Sequence, residues 1–148
     1  MVDMHRKKDF PLYKDLAQRV SQQSYAKRKQ VGAVILTKTG MIALGWNTMP
    51  SGYSNQCELS DGTTHPLVIH AEDNALNKMT KEGISPEGAI VFITLAPCLS
   101  CAKRLAAAGV SAVYYRDYHR QEALDHLQQM NIIIGKWDEQ ILPKMGRF

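Results

Sequence analysis

Two short segments of this 148-residue chain carry side chains that could do chemistry together: His70-Ala71-Glu72 and Pro97-Cys98-Leu99-Ser100-Cys101. Cys98 and Cys101 stand three apart at the expected start of a helix, so both sulfurs share one face. Pro97 suits that start, because the first-turn backbone donors have no partner inside the helix anyway. Those free N–H groups and the positive end of the helix dipole favour thiolate at both sulfurs. His70 opens a second expected helix. With the two helix N-termini side by side, one imidazole and two thiolates meet at a point. This donor set suits Zn²⁺, and three protein ligands rather than four leave a position for water, as in catalytic zinc sites. Zinc lowers the pKa of such a water. Glu72, two residues past His70, can move protons to and from it without ligating the metal. Each part also has a plainer reading: His70 as a helix cap, Glu72 as an ordinary first-turn glutamate, and Cys98–Cys101 as a redox pair at a helix start. The redox reading leaves His70-x-Glu72 unexplained.

The elements that must position these groups follow from hydrophobic spacing. From Phe10 to about Ala26, Leu12, Leu16 and Val20 recur every four residues beside Ala17, which predicts an amphipathic helix. Val31–Thr37 and Met41–Trp46 read as strands joined in a hairpin at Lys38-Thr39-Gly40. Residues 49–66 hold two of the six prolines, Pro50 and Pro66, with Gly52, Asn55, Asp61 and Gly62 between them, a long irregular loop of the kind that is often functional. A helix is expected from His70 to about Lys81, stopping at Gly83. Ala89–Leu95 is a continuous apolar run, expected of a strand buried on both faces. A helix from Cys98 to Gly109, a strand over Val110–Tyr115, a helix over Gln121–Met130 and a strand over Asn131–Ile134 complete the order. The reading is a single α/β domain over residues 1–148, three layers in α/β/α order with a mixed five-stranded sheet.

Composition narrows the class. Hydrophobic residues make up 45% and charged residues 22%, ordinary for a globular chain. No apolar run approaches the roughly 20 residues of a membrane-spanning helix, and the polar start with Arg6, Lys7 and Lys8 lacks a signal's apolar stretch. A cytoplasmic protein without membrane attachment is expected. An odd count of three cysteines with one Cys-x-x-Cys pair is unlike a disulfide framework. The net charge of +4 suits anionic partners, nucleotides included. The basic clusters Arg6-Lys7-Lys8 and Lys27-Arg28-Lys29 are short, so an extended nucleic-acid surface is not expected.

A His-x-Glu followed by Pro-Cys-x-x-Cys is the signature of zinc deaminases that act on bases. Within the zinc-dependent cytidine deaminase superfamily, the chain most resembles deoxycytidylate (dCMP) deaminases of the viral and bacterial kind. The resemblance spans roughly Leu16 to Ile134. It rests on Val31-Gly32-Ala33-Val34-Ile35, Gly45-Trp46-Asn47-Thr48-Met49-Pro50-Ser51-Gly52, His70-Ala71-Glu72-Asp73-Asn74-Ala75, Thr94-Leu95-Ala96-Pro97-Cys98 and Tyr118-His119-Arg120. It implies the cytidine deaminase-like fold and hydrolysis of dCMP to dUMP and ammonia by a zinc-activated water, supplying thymidylate synthesis. It implies catalysis by Glu72 and one zinc per chain on His70, Cys98 and Cys101. It further implies a sugar contact from Asn47, a pyrimidine O2 contact from the Ala71 N–H, phosphate contact from Arg28, and substrate contacts from Thr94, Tyr118 (an aromatic lid) and Arg120.

Members of this branch are commonly homo-oligomers, often hexamers, activated by dCTP with Mg²⁺ and inhibited by dTTP. That carries over here to Met49, Pro50, Ser51 and Gly52 as an effector loop. If the protein is viral, the compartment is the host cytoplasm. Thr48 departs from the glycine that many members have. Cys57 and His65 lack the partners that a second, structural zinc uses in some viral members, so Cys57 is expected to be a buried apolar residue. Two other functions compete: deamination of another substrate such as dCTP or a base in transfer RNA, and a non-catalytic zinc module for which Glu72 would have no use.

Overall fold

A computed structural model describes residues 7–137, so Arg6 of the first basic cluster lies outside the described residues. After a turn of 3₁₀ helix at Lys7–Asp9, the elements are α1 (Phe10–Ser21), β1 (Gly32–Leu36), β2 (Ile42–Trp46), α2 (Ala71–Glu82), β3 (Ile90–Leu95), α3 (Leu99–Ala107), β4 (Ala112–Asp117), α4 (Gln121–Gln129) and β5 (Ile133–Lys136). The strands form one mixed sheet in the order β2-β1-β3-β4-β5. β1 is antiparallel to both β2 and β3, while β3, β4 and β5 run parallel. This is the α/β architecture with a mixed five-stranded sheet expected from the sequence.

Alternation along the strands divides the core into two layers. Val34, Leu36, Phe92 and Tyr114 face α1 and pack with Phe10 and Ala17. Ala33, Ile35, Val91, Ile93 and Val113 face the other way, against Ala75 and Met79 of α2, Ala102 and Leu105 of α3, and Leu124 and Leu127 of α4. Two glycines let helices lie directly on the sheet. A Cβ on Gly32 would stand 2.5 Å from the Ser21 backbone N of α1, and one on Gly45 would stand 2.6 Å from the Ala75 N and collide with the Ala71 carbonyl. Gly45 therefore seats the N-terminus of α2, where His70 and Glu72 reside, against β2.

Three sequence expectations need correction. The first helix ends at Ser21, not near Ala26. Beyond it, Ser24 Oγ donates to the Asn47 carbonyl (2.8 Å) and accepts from the Ala26 N–H (3.1 Å), and Ala26 is buried with Met49 and Cys57. Those contacts hold the chain out of the helix. Leu12 is not on the buried face; it is 62% exposed. At ~100° per residue a four-residue spacing drifts by ~40° per step, so Leu12 falls outside the arc set by Phe10, Ala17 and Val20. Finally, β4 and β5 each begin two residues later than expected. Helix-exit turns consume the intervening residues: the Val110 N–H returns to Leu105 O after Gly109 (φ 88°), and the Ile132 N–H returns to Leu127 O after Asn131 (φ 61°).

Topology brings the chemistry to one edge of the sheet. β1 opposes β3, so the start of β1, the end of β2 and the C-terminal ends of β3 and β4 all lie there, where open α/β sheets bind ligands. Thr94 Oγ1 at the end of β3 accepts from Gly32 N (3.1 Å), and Ala96 N donates to Asp117 O (2.9 Å).

Candidate metal centre and active-site cavity

The His-x-Glu segment is held from several sides. Thr48 and Ile69 pair as an antiparallel bridge, so the chain entering α2 runs beside the chain leaving β2. Asn74 Nδ2 donates to the Trp46 carbonyl (2.6 Å) and ties the first turn of α2 to the end of β2. His70 is the N-cap of α2, with extended backbone (φ −68°, ψ 157°), and Cys98 is the N-cap of α3 (φ −74°, ψ 170°). His70 makes no side-chain hydrogen bond to its own helix, and Cys98 meets only Cys101 there. Their side chains turn toward each other instead.

His70 Nδ1 lies 3.1 Å from Cys101 Sγ and 3.8 Å from Cys98 Sγ, and the donor atoms of the three residues all fall within 4.8 Å of one another. Ligand atoms of a tetrahedral zinc with bonds of about 2.0–2.3 Å are about 3.5 Å apart, so this cluster fits Zn²⁺ through Nδ1 and two sulfurs. The electrostatics agree. Hydrogen bonds from Cys101 and then His70 bring the Cys98 thiol down to about 3. The same contact with Cys98, followed by burial, drives the Cys101 thiol strongly upward. Two sulfurs this close share one proton, and a dication is what lets both ionise.

Glu72 is 4% exposed on α2. Burial, its largest influence, pushes the carboxyl up to about 7 against the lowering effects of a backbone hydrogen bond and His70. Asp73, next in sequence, bridges the two helices: Oδ2 accepts from Arg104 Nη1 of α3 (2.7 Å) and lies 3.9 Å from Cys101 Sγ.

A cavity of about 210 Å³ opens beside this cluster. Its metal-facing end is walled by His70, Ala71, Glu72, Ala96 and Cys98, and its other side by Ala26, Arg28, Lys29, Asn47, Cys57, Glu58, Thr64, Val68 and His119. Ala71 occupies the first helical position, where an N–H has no partner within the helix. Asn47 is 9% exposed; its Oδ1 accepts from Val31 N (2.8 Å) and its Nδ2 donates to Lys29 O (2.8 Å). One amide hydrogen remains for a ligand. Arg28 sits at the mouth with Nη2 donating to Thr64 Oγ1 (3.1 Å).

Of the residues expected from sequence, the structure gathers Glu72, His70, Cys98, Cys101, Ala71, Asn47 and Arg28 about this cavity. Three expected substrate contacts do not line it. Thr94 is 1% exposed and its hydroxyl is occupied by Gly32 N, so it serves the sheet. Tyr118 is 53% exposed to solvent, and Arg120 is the N-cap of α4. His119, between them, is the residue that turns inward. Its pKa is lowered by burial, then by Lys29 and Arg120, which favours the neutral ring. Met49 is buried with Ala26 and Cys57, whereas Ser51 and Gly52 are exposed in a turn closed by Tyr53 N to Pro50 O (3.1 Å). Cys57 is 2% exposed, as a small apolar residue would be. Sequence reasoning missed Lys29, Glu58, Thr64 and His119. The inward turn of His119 depends on where β4 ends, and Glu58 and Thr64 come from a loop with no motif.

Comparison with known proteins agrees with this geometry. The family model of the cytidine and deoxycytidylate deaminase zinc-binding region matches residues 8–117. A deoxycytidylate deaminase of Mus musculus is 30% identical over 137 residues, covering 86% of this chain and 76% of its own length. That of Mycobacterium phage D29 is 30% identical over 114 residues, 68% of this chain and 88% of the phage protein. Among solved structures, the dCMP deaminase of cyanophage S-TIM5 in complex with dCMP and dUMP superposes with a TM-score of 0.85 at 44% identity, covering 89% of this chain and 98% of that one.

Proposed function

This chain belongs to the cytidine and deoxycytidylate deaminase family, and from that premise we propose that it hydrolyses dCMP to dUMP and ammonia, with one zinc ion per chain. One observation carries the reading: a single cavity joins the His70–Cys98–Cys101 cluster, a buried carboxyl held at about 7, and a basic mouth with Arg28 and Lys29. The resemblance to the cyanophage protein, a complex with dCMP and dUMP, supports the same substrate.

Zinc held by these three residues supplies a Lewis acid that makes water nucleophilic near neutral pH. The remaining work belongs to the chain. The Ala71 N–H donates to the pyrimidine O2 and orients C4 toward the metal. Glu72 accepts a proton from the attacking water and gives it to N3, then takes the proton of the new C4 hydroxyl and passes it to the exocyclic amine, so that the C4–N bond breaks, C4=O forms and ammonia leaves. A carboxyl near 7 can both give and take protons at neutral pH. The free amide hydrogen of Asn47 meets the sugar, and the planar fork of Arg28 meets the phosphate. His119 takes the covering role that the sequence assigned to Tyr118.

Ammonia release from dCMP, deoxycytidine, dCTP and transfer RNA tests the reading. A clear preference for dCMP is expected; activity on transfer RNA alone, or equal rates with and without the phosphate, would contradict it.

The same reading makes Met49–Gly52 an effector loop for dCTP with Mg²⁺ and for dTTP, in a homo-oligomer for which we favour a hexamer. The exposed turn continues into buried Met49, two residues from Asn47, which gives an effector a short mechanical route to the substrate. Sigmoidal dCMP kinetics that dCTP straightens are expected. Hyperbolic kinetics indifferent to both nucleotides would remove this part.

A further inference from the structure

Residues 57–65 form a small hairpin at the mouth of the cavity. Glu58 pairs with Thr64 as an antiparallel bridge, Leu59 N donates to Thr63 O (2.7 Å), and His65 N donates to Cys57 O (2.7 Å). The tip is closed by Asp61, whose Oδ1 accepts from Thr63 N (3.0 Å) and Oγ1 (2.6 Å). The root is anchored through Cys57, buried against Ala26 and Met49. This little element is therefore ordered at both ends.

Its two paired residues grip the same arginine. Glu58 Oε2 accepts from the backbone of Lys27 (2.9 Å) and Arg28 (3.3 Å), and Thr64 Oγ1 accepts from Arg28 Nη2 (3.1 Å). Arg28 is thus held at its backbone and at its guanidinium tip by residues that face each other across one hairpin. Thr64 engages one of the five guanidinium donors and leaves the others for a ligand. Holding the fork in place removes the ordering cost that a free arginine would bear on binding. Glu58 also lines the cavity beside Arg28 and Lys29, so the mouth carries two positive charges and one negative. That balance suits a phosphate monoester better than a longer, more highly charged phosphate chain, which would meet the Glu58 carboxylate.

We infer that the 57–65 hairpin is the phosphate-selectivity element of the site: Thr64 and Glu58 are positioning residues that hold Arg28 for a 5′-monophosphate, and the Glu58 charge disfavours di- and triphosphates. The inference rests on the reading of Arg28 as the phosphate-binding residue.

The test compares wild type, Thr64→Val, Thr64→Ser and Glu58→Gln, each with wild-type zinc content and Tm, on dCMP, deoxycytidine and dCTP. Thr64→Val raises KM for dCMP about three- to tenfold, the worth of one hydrogen bond, with kcat within about twofold and deoxycytidine kinetics unchanged; Thr64→Ser restores the wild-type KM. Glu58→Gln keeps an acceptor for the backbone but raises the dCTP-to-dCMP ratio of kcat/KM about tenfold, as expected for losing one repulsive charge at close range. If wild type requires the phosphate and both substitutions behave like wild type, or if Thr64→Val harms deoxycytidine as much as dCMP, the hairpin's role is refuted alone. If wild type handles deoxycytidine as well as dCMP, the phosphate reading itself fails and takes this inference with it.

Discussion

The two ends of the cavity are built in different ways. At the metal-facing end, His70, Ala71, Glu72 and Cys98 sit at helix N-termini that are pinned to the sheet: α2 by Gly45, by the Thr48–Ile69 bridge and by Asn74, and α3 by direct continuation from β3. At the mouth, Arg28, Asn47, Glu58, Thr64 and His119 come from four separate segments, and Arg28 and Thr64 are exposed. On the proposed function, the first end does the bond-making chemistry from helix ends pinned to the sheet, with Ala71 and Glu72 buried, Cys98 half-buried and His70 exposed. By the same proposal, the second recognises the nucleotide with mutually braced loops. Substitutions at the first end should therefore fall on kcat and metal retention, and those at the second on KM.

The largest expected effect is loss of the metal. Cys101→Ser should abolish zinc retention and reduce turnover to background, read by metal analysis beside ammonia release; a variant that stays loaded and active would remove the distinction between the two ends. Next comes Glu72→Gln, which should keep zinc and substrate affinity while lowering kcat by about 10²–10⁴-fold. A change confined to KM would put Glu72 with the mouth residues instead. Arg28→Ala should raise KM for dCMP by about 10–100-fold, the range of a charge-assisted hydrogen-bond pair, with kcat nearly unchanged.

A smaller effect follows from the raised carboxyl of Glu72. Its folded pKa of about 7 lies above its ordinary value of 4.5, so the folded state binds the proton more tightly than the unfolded chain does. The wild type's relative stability is full below pH 4.5 and is lost as pH rises through 7. In zinc-stripped protein, the Tm of Glu72→Gln minus that of wild type should grow across this window and level off above it; a difference flat with pH would show that Glu72 ionises freely. The smallest effect belongs to Arg104→Met. Its ion pair with Asp73 joins α2 to α3, but the Arg104 side chain is 56% exposed and solvent screens it. A loss below about 1 kcal/mol is expected from thermal unfolding.

The same division governs how much was legible in the sequence. His70-Ala71-Glu72 and Pro97-Cys98-x-x-Cys101 are contiguous, and their residue types are rare enough in that spacing to name the chemistry. The apolar run of β3 and the alternating order of elements likewise implied the mixed sheet. The mouth was less legible because it is assembled from distant loops. Arg28 and Asn47 came from a resemblance, and Glu58 and Thr64 gain meaning only when the hairpin folds onto residue 28. The inward choice of His119 over Tyr118 turns on the exit from β4, which helix-exit turns shifted by two residues. Leu12 shows the same weakness locally, since a four-residue spacing names a stripe but not its centre.

X-ray absorption at the zinc edge of the purified protein, with metal analysis, tests the central claim most directly. One zinc per chain is expected, with two sulfurs at about 2.3 Å and two lighter donors at about 2.0–2.1 Å, one of them changing when dCMP is added. A third sulfur, for which Cys57 is the remaining cysteine, or a first shell indifferent to dCMP, would mean the ion is structural and would contradict the account.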